Sequence, residues 1–417
     1  MEGLRLYRFR NYAEQTVEFG PGVNVVLGPN AQGKTNLLEA VATLALSRSP
    51  RAATAAELIS WGAQECQLQA RLSRPLGATE VSLRLRRGDA GAAVRTISVD
   101  GTPRRARALL GVCPVVLFWP EDLLLVKGGP EGRRRLLDVV LAQLDSRSAA
   151  DLVRYRRILD QRNALLRRLR LGLGSGDGLG GFTADLAATG GRIRVARAQL
   201  VAALRPLART ALEELSRGGE VLDIRYSVTR PVGEADANDE GRHGGGPDGP
   251  AMALPAPSLA EQEEDDAVPA DAATAAGALA AELEARRAEE IARGITVAGP
   301  HRDDLAVILN GRPARSGASQ GQQRSIVLAL KLAEVRHLAE RAGMSPVLIL
   351  DDVLSELDPG RRLQLLDALG ARGRAQVLLS STEVDAMAGL DLGPVRRHEV
   401  RAGVVTSHDV AAARGVG

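Results

Sequence analysis

From Leu4 to Phe9 apolar and polar residues alternate, and Gln15 to Phe19 repeat the pattern. A period of two predicts strands with one wet face. Val23 to Leu27 then run apolar without a break, which predicts a strand buried on both faces. That run stops at Gly28 in a glycine-bearing loop, and Lys34 to Leu46 predict a helix. Glu65 to Leu72, Thr79 to Arg86 and Val94 to Val99 alternate again between turn residues, predicting an antiparallel sheet beside the main one. Pro114 to Phe118 is a further strand of the buried type.

The pattern then changes period. Between about 130 and 217 Leu152, Leu159 and Leu166, then Leu186, Ile193, Leu200 and Leu207, recur seven apart, as a helix–helix seam requires. The Gly-rich stretch from Leu171 to Gly181 divides the two runs, so a short antiparallel helical hairpin is expected rather than a long coiled coil. Val221 to Val228 predicts a strand. Residues 232–272 lose all periodicity and are rich in Gly, Ala, Pro and acidic residues, which predicts a solvated, disordered insertion. A helix from Ala273 to Arg293 follows. The last third alternates strand and helix. Leu305 to Asn310, Val347 to Leu350 and Gln376 to Ser380 read as strands, Gly321 to Arg341 and Gly360 to Leu369 as helices, and His398 to Val405 as a closing hairpin. That alternation predicts an α/β fold with a largely parallel sheet. The expected parts are 1–128, a helical segment 129–218, a return segment 219–300 holding the insertion, and 301–417.

Composition narrows the function classes. Aromatics are only 2% of the chain, so the core must be aliphatic and base stacking along single strands is poorly supported. The net charge of +3 is too small for bulk attraction to nucleic acid, so such contact falls to local arginine clusters, with Arg156, Arg157, Arg167 and Arg168 of the helical segment as candidates. Cys66 and Cys113, two isolated thiols, fit a reducing compartment, and no apolar run reaches membrane-spanning length. A cytoplasmic location is expected. Lysines are confined to Lys34, Lys127 and Lys331, which makes a lysine framed by glycines notable.

Gly28-Pro29-Asn30-Ala31-Gln32-Gly33-Lys34-Thr35 fits G-x-x-x-x-G-K-[ST], between a buried strand and a helix that also takes in Asn36. The glycines let backbone amides turn toward phosphates, and the helix N-terminus adds partial positive charge. Lys34 then reaches the β- and γ-phosphates of ATP, and Thr35 holds Mg²⁺. Val347 to Leu350 deliver Asp351 and Asp352 to a strand end, Asp351 as a second Mg²⁺ contact and Asp352 to orient or deprotonate the attacking water. Ser355, Leu357 and Asp358 continue the run as a D-loop. Ser319, Gly321 and Gln322 open the helix at 321 as S-x-G-Q, a second anion-binding device that in ABC-type proteins caps the γ-phosphate of a partner's nucleotide. Arg10 and Asn11 are candidates for nucleotide contact, with a strand-end structural role as the alternative.

Several blocks make the chain similar to the RecF family. They include Phe9-Arg10-Asn11-Tyr12, Gly33 through Ala40, Val116 through Leu123, Lys127-Gly128-Gly129-Pro130, Gly299 through Asp304, Ser319 through Arg324, and Asp351 through Asp358. The resemblance implies an ABC/SMC-type ATPase head with a mixed sheet plus a small helical arm domain, closing as a homodimer on ATP. It further implies binding to gaps and single-strand/double-strand DNA junctions, cooperation with RecR and RecO in loading recombinase, and a part in the SOS response. The chain departs from the family at Ala31, where glycine is usual, and at Trp119, where a small polar residue is expected. A switch histidine is missing beside Ser380, Ser381 and Thr382. The alternatives are an ABC-type ATPase subunit of another complex and a short SMC-like structural ATPase. Co-purification with a membrane subunit would favour the first, and the second needs long arms for which the chain has no room.

Overall fold

The computed structural model of the chain describes residues 1–74, 77–88, 92–216, 218–228, 268–353, 360, 375–382 and 395–410. The expected D-loop, the helix at 360–369 and most of the insertion lie outside the described residues.

Strands β1 (Gly3–Phe9) and β2 (Tyr12–Glu18) form a hairpin, and β3 (Val23–Leu27) leads into α1 (Lys34–Leu46), whose bounds match the expected ones. Four strands follow, β4 (Glu65–Arg74), β5 (Gly77–Arg87), β6 (Ala93–Val99) and the short β7 (Thr102–Arg104). Then come β8 (Val115–Phe118), α2 (Leu124–Lys127) and α3 (Pro130–Leu144). The heptad seams become α4 (Ser146–Arg170) and α5 (Leu179–Ser216), divided at the glycine-rich stretch. After β9 (Leu222–Ser227) the single helix expected at 273–293 is two, α6 (Ala272–Ala285) and α7 (Arg287–Arg293), broken at Arg286. Asp271, which the sequence reading placed in the insertion, caps α6 by accepting from the Ala273 and Thr274 amides. The chain closes with β10 (Asp304–Leu309), β11 (Arg312–Pro313), α8 (Ala314–Gly317), α9 (Gln320–Ala342), β12 (Val347–Asp351), β13 (Val377–Ser381), β14 (Val395–Arg401) and β15 (Val404–Val410).

Two six-stranded sheets carry the first of two compact units, Met1–Ala150 with Ala202–Asp223 and Val307–Gly417. One is antiparallel, ordered β2-β1-β4-β5-β6-β7. The other is mixed, ordered β15-β14-β3-β13-β12-β8, parallel except where β15 turns back on β14. Helix α1 lies between them and is buried nearly all round, as an apolar helix with no wet face must be. Leu4, Leu6, Leu68 and Leu83 of one sheet and Val26, Ile349 and Leu378 of the other meet around it in one aliphatic core. Helix α3, which opens the segment expected to be the arm, belongs to this unit and packs on α2 and α9.

The second unit is Asp151–Val201 with Ile224–Ala306. Helices α4 and α5 run antiparallel, as the Arg192–Asp151 and Arg162–Thr183 bonds show. Their apolar seams close on α6 through Ile158, Leu186, Ile193, Leu279 and Leu283. Gly190 and Gly191 allow that approach: a Cβ on Gly191 would lie 2.5 Å from the Ala276 nitrogen. No helix among the described residues is long and apolar enough to cross a membrane.

Candidate nucleotide site

Sheet order places the site. Strand β13 separates β3, which feeds the glycine loop, from β12, which ends in the paired aspartates. Leu27 pairs with Ser381 and Asp351 with Ser380, so all three strand ends finish at one level on the carboxyl edge of the sheet. Ligands of α/β sheets bind at such an edge.

The loop from Gly28 to Lys34 is curled by three residues with positive φ, Gly28 at 153°, Ala31 at 63° and Gly33 at 118°. At Gly28 only glycine fits, because a Cβ would stand 2.3 Å from the Val400 carbonyl oxygen. The loop is braced from outside by two segments. Asn11 Nδ2 donates to the Gln32 carbonyl at 2.9 Å while its Oδ1 accepts from Asn36, and the buried Tyr12 hydroxyl donates to the Gly33 carbonyl at 2.8 Å. From the β14–β15 turn, the Ala402 amide donates to Gln32 Oε1 and the Gly403 amide to the Gln32 carbonyl. The expected closing hairpin contains this turn, but nothing in the sequence marks its contact with the glycine loop.

Inside the loop, Lys34 Nζ donates to the Gly28 and Pro29 carbonyls at 2.7 and 3.0 Å. Burial lowers its pKa, and the nearby Asp352 and Asp351 partly offset that. Thr35 Oγ1 donates to Asp351 Oδ1 at 3.1 Å, joining the loop to the far strand. Ser380 Oγ donates to the same carboxylate oxygen at 2.6 Å and accepts from the Asp352 amide at 2.9 Å. Burial raises the Asp351 pKa above the usual range, opposed by the hydrogen bonds from Ser380 and Thr35. Asp352 sits in the left-handed region, at φ 53°. In the sequence Ser380 stands only in a strand end without a switch histidine; the structure makes it the clasp between the two aspartates.

Arg10 and Glu39 form a pair at 2.8 and 2.9 Å, and Arg10 Nη1 also reaches the Glu57 carbonyl. Glu39 is fully buried on α1 and takes a further bond from Ser49. Asn11 therefore touches the loop directly, whereas the Arg10 side chain is engaged by Glu39.

Ser319 is the N-cap of α9. Its hydroxyl accepts from the Gln322 amide, and Gln322 Oε1 accepts from the Ser319 amide. Ser319 is exposed and Gly321 half-buried, so this helix N-terminus faces outward from its own chain. Further along α9, Lys331 is buried between Asp122 at 3.7 Å and Glu334 at 3.3 Å. Asp122 also accepts from the Trp119 amide.

The residues fit both groups the sequence pointed to. The curled backbone and Lys34, whose ammonium bonds only to neutral carbonyls among the described residues, suit a polyphosphate. Thr35 and Asp351 put two hard oxygen donors side by side, as Mg²⁺ requires.

The comparisons agree with this geometry. The family described as RecF/RecN/SMC N terminal domain matches residues 1–392. The chain is 38% identical over 393 residues to the DNA replication and repair protein RecF of Microcystis aeruginosa, covering 93% of this chain and 94% of that one. The chain belongs to the RecF family. It is likewise 38% identical to the protein of that name from Symbiobacterium thermophilum, over 97% of this chain and 98% of that one. Among solved structures it matches one described as the recombination mediator protein RecF-ATPrS in the RecFOR pathway, at a TM-score of 0.80 and 28% identity, covering 97% of each chain. Its fold is that of an ABC/SMC-type ATPase, and its family is one of ATP-binding DNA replication and repair proteins.

Proposed function

We propose that the chain is an ATP-driven clamp of recombinational repair. Two copies close over ATP, grip gapped or junction DNA and help to load recombinase together with RecR- and RecO-type partners in the cytoplasm. Gly28 to Asn36 cradle the nucleotide. Lys34 leaves its carbonyl partners for the phosphates, and Thr35 and Asp351 hold Mg²⁺. When bound, the metal neutralises charge developing on the transferred phosphoryl group. Ser380 fixes Asp351 in orientation and, through the Asp352 amide, sets the backbone from which Asp352 addresses water. Hydrolysis then separates the heads. Asp352 is one methylene shorter than a glutamate, and slow turnover, raised by DNA, is expected.

The observation that carries this reading is the division of the site. The Thr35–Asp351–Ser380 junction closes within one chain, while among the described residues the Ser319 and Gln322 side chains bond each other's backbone amides on an exposed helix end. A half-site of this kind is completed by the Ser319, Gly321 and Gln322 of a second copy. The resemblance of the family's DNA-repair members, at 38% identity over nearly the whole chain, supports DNA as the substrate of the clamp.

The test compares wild type with Lys34→Met by light scattering, with and without ATP and Mg²⁺, and by DNA binding at two salt concentrations. Wild type should double in mass with ATP and the variant should stay monomeric. Equal self-association of wild type with and without ATP would contradict the clamp.

A further inference from the structure

The antiparallel sheet of the head has an inner face that packs on α1 and an outer face in water. The inner face should be apolar throughout, and Leu83, Leu85 and Ile97 follow that rule. Register carries the same face outward to arginine: Leu85 pairs with Arg95, and Ile97 pairs with Arg104 on the edge strand β7. Directly paired residues of an antiparallel ladder project to one side. Arg95 and Arg104 are therefore on the core side of the sheet, at the rim where the core ends. There they line a cavity of about 390 Å³ with Arg105 and Ala106.

No hydrogen bond or ion pair engages the side chains of Arg95, Arg104 and Arg105 among the described residues. Elsewhere on the same sheet arginines are paired, as Arg71 is with Glu2 and Glu18 and Arg84 with Glu65. Arg48, within electrostatic reach of Arg95, follows the end of α1. Crowding by protein lowers its pKa, the like charges of Arg135 and Arg95 add to that, and Asp138 offsets part of it. Arg95 is lowered by burial alone. The cavity lining itself holds three arginines and no carboxylate; cations gathered so at a concave rim make a standing positive field, and their planar forks match phosphate oxygens.

We propose that Arg95, Arg104 and Arg105, backed by Arg48, bind the phosphodiester backbone of DNA on the ATPase head, at a site separate from the arginines of α4. This rests on the DNA-binding reading above and adds a second, sequence-independent contact to it. The lining offers little apolar surface beyond Ile97 and two alanines, so a backbone fits it better than an apolar peptide segment. The cavity holds a phosphate with its water, and the open edge strand lets a duplex lie across it.

The experiment measures binding of a duplex with a single-stranded extension by fluorescence anisotropy, in ATP and Mg²⁺, at several salt concentrations. It uses wild type, Arg95→Gln/Arg104→Gln/Arg105→Gln and the corresponding triple lysine variant. ATP affinity and mass are measured on each. The glutamine variant should bind DNA on the order of ten- to a hundredfold more weakly, with ATP affinity and mass unchanged. Its plot of log affinity against log salt should be shallower by about 2–3, at roughly 0.9 per lost phosphate contact. The lysine variant should recover at least half of the lost slope, because it keeps the charges. Undiminished DNA binding by the glutamine variant overturns this site while leaving the DNA reading intact. Loss of ATP affinity with DNA affinity retained assigns the arginines to free nucleotide and also overturns it. A lysine variant as weak as the glutamine one overturns the phosphate assignment. Wild-type protein that fails to bind the duplex sinks the DNA reading itself.

Discussion

The second unit, for which we keep the word arm, and the nucleotide site both bury charge, and they treat it in opposite ways. In the arm, Arg162 is fully buried against Glu290 at 2.6 Å, with Thr183 and Thr296 taking its remaining donors. Arg194 is forked onto Asp303 at 2.9 and 3.1 Å, beside Glu282, and the Tyr226 hydroxyl completes Asp303. Burial pulls the Arg194 pKa down, but Asp303 and Glu282 more than reverse this. In the nucleotide site, among the described residues, the Lys34 ammonium bonds only to neutral carbonyls and the Asp351 carboxylate only to two hydroxyls. Both have pKa values moved toward the neutral form. Charges matched inside the protein specify a structure, and charges left for something else to match mark where a ligand belongs.

Breaking the arm side of this contrast has the largest expected effect. Arg194→Met removes the forked guanidinium from buried Asp303 and should destabilise the arm by about 3–5 kcal/mol. Asp303→Asn should cost nearly as much. Urea denaturation followed by circular dichroism reads both, and a loss under about 1 kcal/mol would show that the network is not the arm's core.

The cluster around Lys331 sharpens the comparison, since two carboxylates there face one cation. Burial raises Asp122 and pushes Glu334 up to about 6 from the ordinary 4.5, with Lys331 working against it. The sign follows from proton uptake on folding. A carboxyl raised in the folded state contributes stability that is full below the unfolded pKa and lost as pH climbs through the folded one. Wild type should therefore lose on the order of 1–2 kcal/mol relative to Glu334→Gln between pH 4.5 and 6.5. Parallel pH profiles for the two proteins would assign the proton elsewhere.

Removing charge from the nucleotide site should do the reverse of what it does in the arm. Asp351→Asn keeps an oxygen for the Thr35 and Ser380 hydroxyls while deleting a desolvated carboxylate. The ligand-free protein should gain on the order of 1 kcal/mol, and Mg²⁺-dependent ATP affinity should fall at least tenfold. A variant both less stable and still able to bind ATP with Mg²⁺ would reverse the contrast.

These two regions also differed in how much of them the sequence disclosed. Walker-type residues are legible because their spacing is short: Gly28 to Thr35 lie on one loop, and a continuous apolar run announces each strand feeding the site. The α1 bounds and the seams of α4 and α5 were legible for the same reason, periodicity over many residues. The roles of Ser380, the Ala402-Gly403 turn and Glu39 were not. Ser380 and the turn act through partners 29 and 370 residues away that the strand order of the mixed sheet brings to the loop, and Glu39 meets Arg10, 29 residues before it, beyond the end of β1. The Gly299 through Asp304 block showed a family resemblance without its reason. Its Asp303 is the centre of the arm's ion network, which no local pattern of His-Arg-Asp could reveal. The break at Arg286 was equally silent, because α6 and α7 share one apolar period.

Ala31 gives the smallest effect and tests how the site is held ready. Its φ of 63° places a Cβ where the left-handed conformation costs an L-residue about 1–2 kcal/mol. Glycine would remove that cost but would enlarge the freedom of the unfolded chain, which takes back about 0.4–1 kcal/mol. Ala31→Gly should therefore stabilise the protein by roughly 0.5–1 kcal/mol, seen as a rise in Tm. The same freedom acts on the ligand-free loop, which alanine keeps curled with Asn11, Tyr12 and Gly403 bracing it from outside. ATP affinity should then fall a few-fold in the more stable protein, as expected where strain preorganises a site. If stability and affinity rise together, the alanine is a tolerated burden; if stability rises as affinity falls, the strain at Ala31 serves the nucleotide.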